Sequence, residues 1–377
     1  MDSVFKMVQS GKEISIEDKS IIMNRNDLLN LISKIEASDK ATKKEVLERF
    51  NNMAKPIKGL GEFENLIAKL AAIQGKPDVD ISKKCVIVMC ADNGVVKEGV
   101  SQTDSSVTAV VTRNFARKTT TVNILSSYTD ADVIPVDIGV IEDFSEEGIV
   151  DKKVAKGTKS FIDEAAMSEE ELIKAITAGI DMIKDAKDKG YKMIGTGEMG
   201  IGNTTTSSAL ASVLLGLEVE SVTGAGAGLS KEGIQRKIEV IKLGIKKHSP
   251  FTDELDMLRK LGGFDIAGMC GMFIGGAIYK LPIVIDGLIS SVAALIAYRL
   301  NPKTADYMIA SHISKEPGSL KIMQELGLRP MIDASLGLGE GTGTAMLFPL
   351  IDMVNNVYRK SESFAEIGIE AYEPMGE

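Results

Sequence analysis

The feature that most constrains the fold is a unit that recurs along the middle of the chain: a short apolar, β-branched run, a polar or glycine turn, then a helical pattern. The runs are KKCVIVMCADNG, ADVIPVDIGV, YKMIGTGE, LPIVIDG and ADYMIASH. Strands that are apolar on both faces must be covered on both faces, and their alternation with helices implies parallel pairing. The chain is therefore predicted to be α/β, with a doubly wound, mostly parallel, Rossmann-like sheet over residues 81–349. Ahead of it, NRNDLLNLISKIEA carries helical spacing behind an Asn/Asp cap, TKKEVLERFNNMA repeats the period, and ENLIAKLAAIQG ends on a C-cap glycine. Residues 1–80, together with C-terminal helices over 350–377, are expected to form a smaller helical domain.

Composition narrows the partners. A formal net charge of −9 argues against nucleic acid, whose phosphates need a basic surface. Cys85, Cys90 and Cys270 lie in apolar runs without metal-ligand spacing and read as buried thiols of a reducing compartment. His248 and His312 are the only histidines, too few for a histidine-rich metal site and a poor basis for a Ser-His-Asp triad. MDSVFKMVQSGKEIS lacks the basic and apolar regions of a secretion signal. The longest apolar stretch, LPIVIDGLISSVAALIAYRL, is interrupted by Asp286 and Gly287 and reads as strand then helix rather than a membrane span. These features predict a cytoplasmic protein with neither nucleic-acid nor membrane partners.

In doubly wound folds, ligands bind at the carboxyl ends of strands, here ADNG, GEMG, DG and ASH. Three glycine-rich segments stand ahead of helices: GEMGIGNTTTSS, TGAGAGLSKEG and GLGEGTGTAM. Each offers backbone N–H groups and the positive end of a helix, a natural place for phosphate. A tight strand-to-helix turn is the competing reading of any one of them. No Walker A pattern is present. GTGEMG, residues 195–200, does spell the dinucleotide pattern G-x-G-x-x-G, but an ionised Glu198 inside it would repel a pyrophosphate. The acidic residue such a motif requires after a second strand is ambiguous, since Glu218 and Glu220 follow little strand pattern. Glu198 and Glu340, carboxylates set among glycines at strand ends, suit a general base with a raised pKa. Bonding to local backbone N–H groups is the alternative for both. Asp286, ending LPIVID, reads equally well as a site residue or a helix cap.

ADNGVVKEGVSQTDSSVTAVVTRNF, VDIGV, GEMGIGNTT, LGGFDIAG, PIVIDG, DYMIASH, KEPG and GEGTG occur in that order. Together they resemble the nicotinate-nucleotide–dimethylbenzimidazole phosphoribosyltransferase family from about Lys55 to the C-terminus. The resemblance implies transfer of phosphoribose from nicotinate mononucleotide to a lower-ligand base such as 5,6-dimethylbenzimidazole. The products are the α-ribotide and nicotinate, within cobamide nucleotide-loop assembly. No cofactor and no metal are implied. The leaving nicotinate starts as a pyridinium and needs no acid, whereas the attacking imidazole must lose a proton, so one carboxylate suffices. By resemblance that base is Glu340. Glu198, Met199, Gly200, Gly202 and Asn203 would belong to the nucleotide and base pocket, and Gly226, Gly228 and Lys237 would hold phosphate. Ser101 and Gln102 would lie near the base, Asp286 would face the ribose, and Gly341 would contribute to substrate binding. Met199 and Leu338 would wall the flat ring.

Three positions depart from the family pattern. Asn93 stands where the family has histidine, and Ala225 and Gly337 stand where it has arginines. A guanidinium fork on an anion is not replaced by alanine or glycine. Either Lys237, glycine N–H groups and other basic residues hold the anion, or a partner subunit does. The family suggests a homodimer; the alternative is one subunit of a heterodimer that activates phenolic lower ligands, with limited activity alone.

Overall fold

The computed structural model describes residues 6–9, 12–15 and 23–372. The N-terminal reading against a secretion signal therefore falls partly outside the described residues, as does the end of the expected C-terminal helical segment. Strands β1 (Lys6–Gln9) and β2 (Lys12–Ser15) form an antiparallel hairpin. The principal sheet is built from β3 (Lys84–Ala91), β4 (Asp132–Gly139), β5 (Val150–Asp151), β6 (Met193–Met199), β7 (Ile283–Ile285) and β8 (Met308–Ala310). Its order is β5-β4-β3-β6-β7-β8 with every pairing parallel. The chain thus lays strands outward from β3 to one edge, returns to the middle at β6, and proceeds to the other edge. That reversal between β3 and β6 is the switch point at which doubly wound sheets open a crevice. Beyond it, β9 (His312–Ser314) and β10 (Ile332–Leu336) form a separate parallel pair.

Strand β3 shows why the fold is layered. Its side chains alternate between two cores, as a period of two requires. Cys85, Ile87, Met89 and Ala91 join the core that also contains the helices Glu169–Asp188, Phe264–Tyr279 and Leu288–Leu300. Val86, Val88 and Cys90 join the other, with the helices Lys40–Asn52, Glu62–Gln74 and Thr342–Lys360. Each fully buried aliphatic side chain contributes about 1.5–3 kcal/mol, so both faces of the sheet are committed.

The terminal helices form one layer on that second face and share its core with the sheet. Phe50 meets Tyr358 with ring centroids 4.9 Å apart, and Asn355 Nδ2 donates to the Val79 carbonyl at 3.3 Å. The helix Arg25–Ser33 instead sends Leu28, Leu31 and Ile32 into the opposite core. All three cysteines are buried and free, and burial pushes their thiols far up. Among the described residues, no helix is long and apolar enough to cross a membrane.

Candidate active site

A cleft of about 520 Å³ opens outside the carboxyl ends of β6 and β7. Its walls include Ser101 and Gln102 from the segment after β3, the run from Glu198 to Thr204, and Gly226 and Gly228. Asp286 with the start of the helix Leu288–Leu300, and Leu338 with Glu340, complete it. Of the residues expected at the site, Lys237 and Gly341 do not line it.

The glycines of GTGEMG serve a contact different from the one a dinucleotide fingerprint would require. A Cβ at Gly195 would lie 2.0 Å from Thr344 Cγ2, and one at Gly197 would lie 2.7 Å from the Glu340 carbonyl. They let the start of the last helix, Thr342–Lys360, press against strand β6. The approach is made by a turn in which Gly339, Glu340 and Gly341 all have left-handed backbone, at φ 81, 61 and 88. Glycine adopts this readily; for Glu340 it costs about 1–2 kcal/mol. Such strain persists where surrounding contacts overdetermine it, and it clusters at functional sites.

Asp286 supplies those contacts. Its Oδ2 accepts the Gly341 N–H at 3.0 Å, and its Oδ1 accepts those of Gly343 at 2.8 Å and Thr344 at 3.4 Å. Of the two readings left open for Asp286, these contacts describe a helix cap. The helix it caps is the last one, however, rather than Leu288–Leu300, which follows it in sequence. Burial pushes the Asp286 carboxyl up, and burial likewise pulls the neighbouring His312 imidazole down, so His312 favours its neutral form. Glu340 is half-buried at the cleft wall; burial and the Asp286 charge push its carboxyl up as well.

Glu198 is only 7% exposed. Its Oε2 accepts from Asn203 Nδ2 at 2.5 Å and its Oε1 accepts the Glu340 N–H at 3.3 Å. Burial, reinforced by the charges of Asp265 and Asp286, pushes its carboxyl to about 8, with the Asn203 bond opposing. Glu198 therefore holds a proton at neutral pH, which removes the difficulty of a charged carboxylate in this loop. Asp265, wholly buried, accepts the second Asn203 hydrogen at 2.9 Å. It was not singled out from the sequence, although the motif containing it, LGGFDIAG, was.

The loop Gly224–Gly228 is held from both sides. Lys237 is fully buried, and its ammonium donates to Thr204 Oγ1 at 2.9 Å and to the Gly224 carbonyl at 3.2 Å. Burial pulls it down to about 8, against the pull of Glu316. Lys237 thus anchors the loop from behind rather than reaching into the cleft. Glu316, from the KEPG motif and also absent from the sequence expectations, accepts the Gly226 N–H at 3.1 Å. At Gly337 a side chain would have to displace the Lys315 stem, because a Cβ would lie 2.2 Å from Lys315 Cε. The Lys315 stem runs over this glycine, and Lys315 lines the cleft. Two helix starts on the cleft wall carry no side-chain cap: Gly202 ahead of Asn203–Leu215 and Gly287 ahead of Leu288–Leu300. Their partial positive charge and the charge of Lys315 face a wall that otherwise carries the carboxyl groups of Glu198, Asp286, Glu316 and Glu340.

Residues 35–369 match the model of a family described as phosphoribosyltransferase. The nicotinate-nucleotide–dimethylbenzimidazole phosphoribosyltransferase of Clostridium acetobutylicum is 46% identical over 347 residues, covering 92% of this chain and 99% of the relative. The protein of the same name from Acetivibrio thermocellus is 46% identical over 331 residues, covering 88% and 94%. The crystal structure of CobT from Thermus thermophilus superposes with a TM-score of 0.84 at 33% identity, covering 88% of this chain and 100% of that one. With its switch-point cleft, paired glycine loops and buried carboxylates, this chain belongs to the nicotinate-nucleotide–dimethylbenzimidazole phosphoribosyltransferase family.

Proposed function

We propose that the protein transfers phosphoribose from nicotinate mononucleotide to a lower-ligand base such as 5,6-dimethylbenzimidazole, with Glu340 as general base. The products are the α-ribotide of that base and nicotinate, and the reaction serves assembly of the cobamide nucleotide loop. One observation carries the residue assignment: the Glu340 carboxyl stands at the cleft wall on a strained backbone, held in place by Glu198 and Asp286.

In this reading one imidazole nitrogen of the base attacks C1′ of the ribose from the face opposite nicotinate, which gives the α configuration. The C1′–N bond breaks, and its electron pair neutralises the pyridinium, so the leaving group takes up no proton. The proton on the other imidazole nitrogen passes to the Glu340 carboxylate. A base whose proton affinity is raised toward neutrality is suited to that transfer. Val107, Val111, Met199 and Leu338 give the cleft apolar surface for a flat ring. The uncapped helix starts at Gly202 and Gly287 suit the donor's phosphate.

The C-terminal helix also exposes Met346, Met353 and Val357 at helical spacing, near exposed Ile124 and Tyr128. This apolar face supports a homodimer, to be checked by light scattering in solution. The deciding measurement is mass spectrometry of products formed by the isolated protein from nicotinate mononucleotide and a panel of benzimidazoles, purines and phenols. An α-ribotide of 5,6-dimethylbenzimidazole is expected. No product without a second, similar chain would favour the partner-dependent alternative instead.

A further inference from the structure

Asp265 does not line the cleft, yet it holds a residue that does. It opens the helix Phe264–Tyr279, where its Oδ1 accepts the Ile266 N–H at 3.0 Å and its Oδ2 accepts from Asn203 Nδ2 at 2.9 Å. The same Asn203 nitrogen donates to Glu198 Oε2 at 2.5 Å. An amide nitrogen has two hydrogens, so both are committed. The other Glu198 oxygen accepts the backbone N–H of Glu340. A chain of contacts therefore runs from a buried helix start through Asn203 and Glu198 to the strained main chain of Glu340. The Asp265 carboxylate is packed closely against glycine backbone on two sides. A Cβ at Gly200 would lie 2.5 Å from its Oδ2, and one at Gly263 would lie 2.4 Å from its Oδ1.

We propose that Asp265 is a positioning residue for phosphoribosyl transfer: it fixes the Asn203 amide, which orients Glu198, which holds the backbone that aims Glu340. The proposal rests on the reading of Glu340 as general base. The ionisable groups facing Glu198 are Asp265 from the Phe264 helix, Asp286 from the end of β7 with His312 beside it, the Cys90 thiol from β3, and Glu340. Asp265 and Asp286 favour the neutral form of Glu198, and Asn203 favours the charged form.

Two variants separate positioning from mere support. Asp265→Asn retains the shape but has one oxygen for two donors, Ile266 N–H and Asn203 Nδ2. Asn203→Ser keeps a residue favoured at helix starts but has only one hydrogen to donate. For both, kcat with nicotinate mononucleotide and 5,6-dimethylbenzimidazole should fall about 10- to 100-fold, the cost of a small misplacement of a reacting group. KM for the nucleotide should hardly change. The infrared band of the protonated Glu198 carboxyl, identified by its loss in Glu198→Gln, provides the second readout. It should titrate at lower pH in Asp265→Asn, which removes a like charge, and at higher pH in Asn203→Ser, which removes a donor to the charged form. A purely structural role would lower the unfolding temperature of both without these opposite shifts. Wild-type kcat, or unshifted titration in a folded variant, overturns the proposal. If Asp265→Asn fails to fold, Asn203→Ser carries the same two tests. If Glu340→Gln keeps wild-type kcat, the base assignment fails and takes this proposal with it; if Glu340→Gln is inactive and Asp265→Asn unimpaired, this proposal alone fails.

Discussion

The loop that opens the helix Asn203–Leu215 and the loop that opens Thr342–Lys360 carry nearly the same residues, and each ends on a left-handed glycine N-cap, Gly202 at φ 92 and Gly341 at φ 88. Their surroundings differ. Asp286 takes three N–H groups of the second loop and its helix, and Glu198 takes a fourth, so that helix start is satisfied from within the protein. No side chain caps the first, which faces the cleft. The glutamates differ too. Glu198 is nearly buried at the cleft's edge and neutral at neutral pH, whereas Glu340 is half-buried at the wall. Similar loops thus divide the work: one leaves its helix start open to an anion, and the other presents a carboxylate.

The sharpest way to break this contrast is to exchange the carboxylates for amides. Glu340→Gln should lose about 10²–10⁴ in kcat, the usual worth of a general base, with KM for nicotinate mononucleotide little changed. Steady-state kinetics check this, and a variant of full activity would move the base elsewhere. Next, Asp286→Ala strips the second loop of its cap and should lower unfolding stability by about 1–3 kcal/mol, the cost of buried groups left unsatisfied. Chemical denaturation measures it, and an unchanged midpoint would mean that water replaces the carboxylate.

Glu198 makes a prediction in pH. Its folded pKa, about 8, lies above the ordinary 4.5. The folded state therefore holds a proton that the unfolded state loses across that window. The stabilisation is complete below 4.5, declines by up to about 1.4 kcal/mol per pH unit, and is gone above 8. Denaturation curves of wild type and Glu198→Gln should diverge across this window only, and parallel curves would refute burial of the neutral form. The smallest effect is expected at the caps themselves. Gly202→Ala and Gly341→Ala should each cost at least about 1–2 kcal/mol, since both force an L-residue into left-handed backbone and bring its Cβ against a valine, Val96 or Val86. Their thermal shifts should be similar, because both helix starts need the turn whatever caps them.

Much of the frame was legible in the sequence. The five strand runs were visible because strands covered on both faces are apolar throughout, and those runs correspond to β3, β4, β6, β7 and β8. The carboxyl-end rule then led from those strands to the cleft, and most of the expected residues line it. Asp265 and Glu316 escaped because each sits on a distant element and acts through contacts of buried groups that no spacing encodes. Lys237 was legible as a cation near the glycine loop but not as one turned inward, since direction depends on what packs around it.

The sequence by itself determined the α/β order of elements, the glycine loops at the strand ends and a carboxylate in each of two of them, because these follow from local pattern and backbone permission. Tertiary structure decided what each loop is for. Gly195 and Gly197 matter because another helix lies against them, Glu198 is neutral because it is buried, with other carboxylates nearby, and Asp286 caps a helix that begins 56 residues later, at Thr342 (342 less 286). Burial, charge and hydrogen-bond partners arise only when distant segments meet, and they turned two similar loops into two different tools.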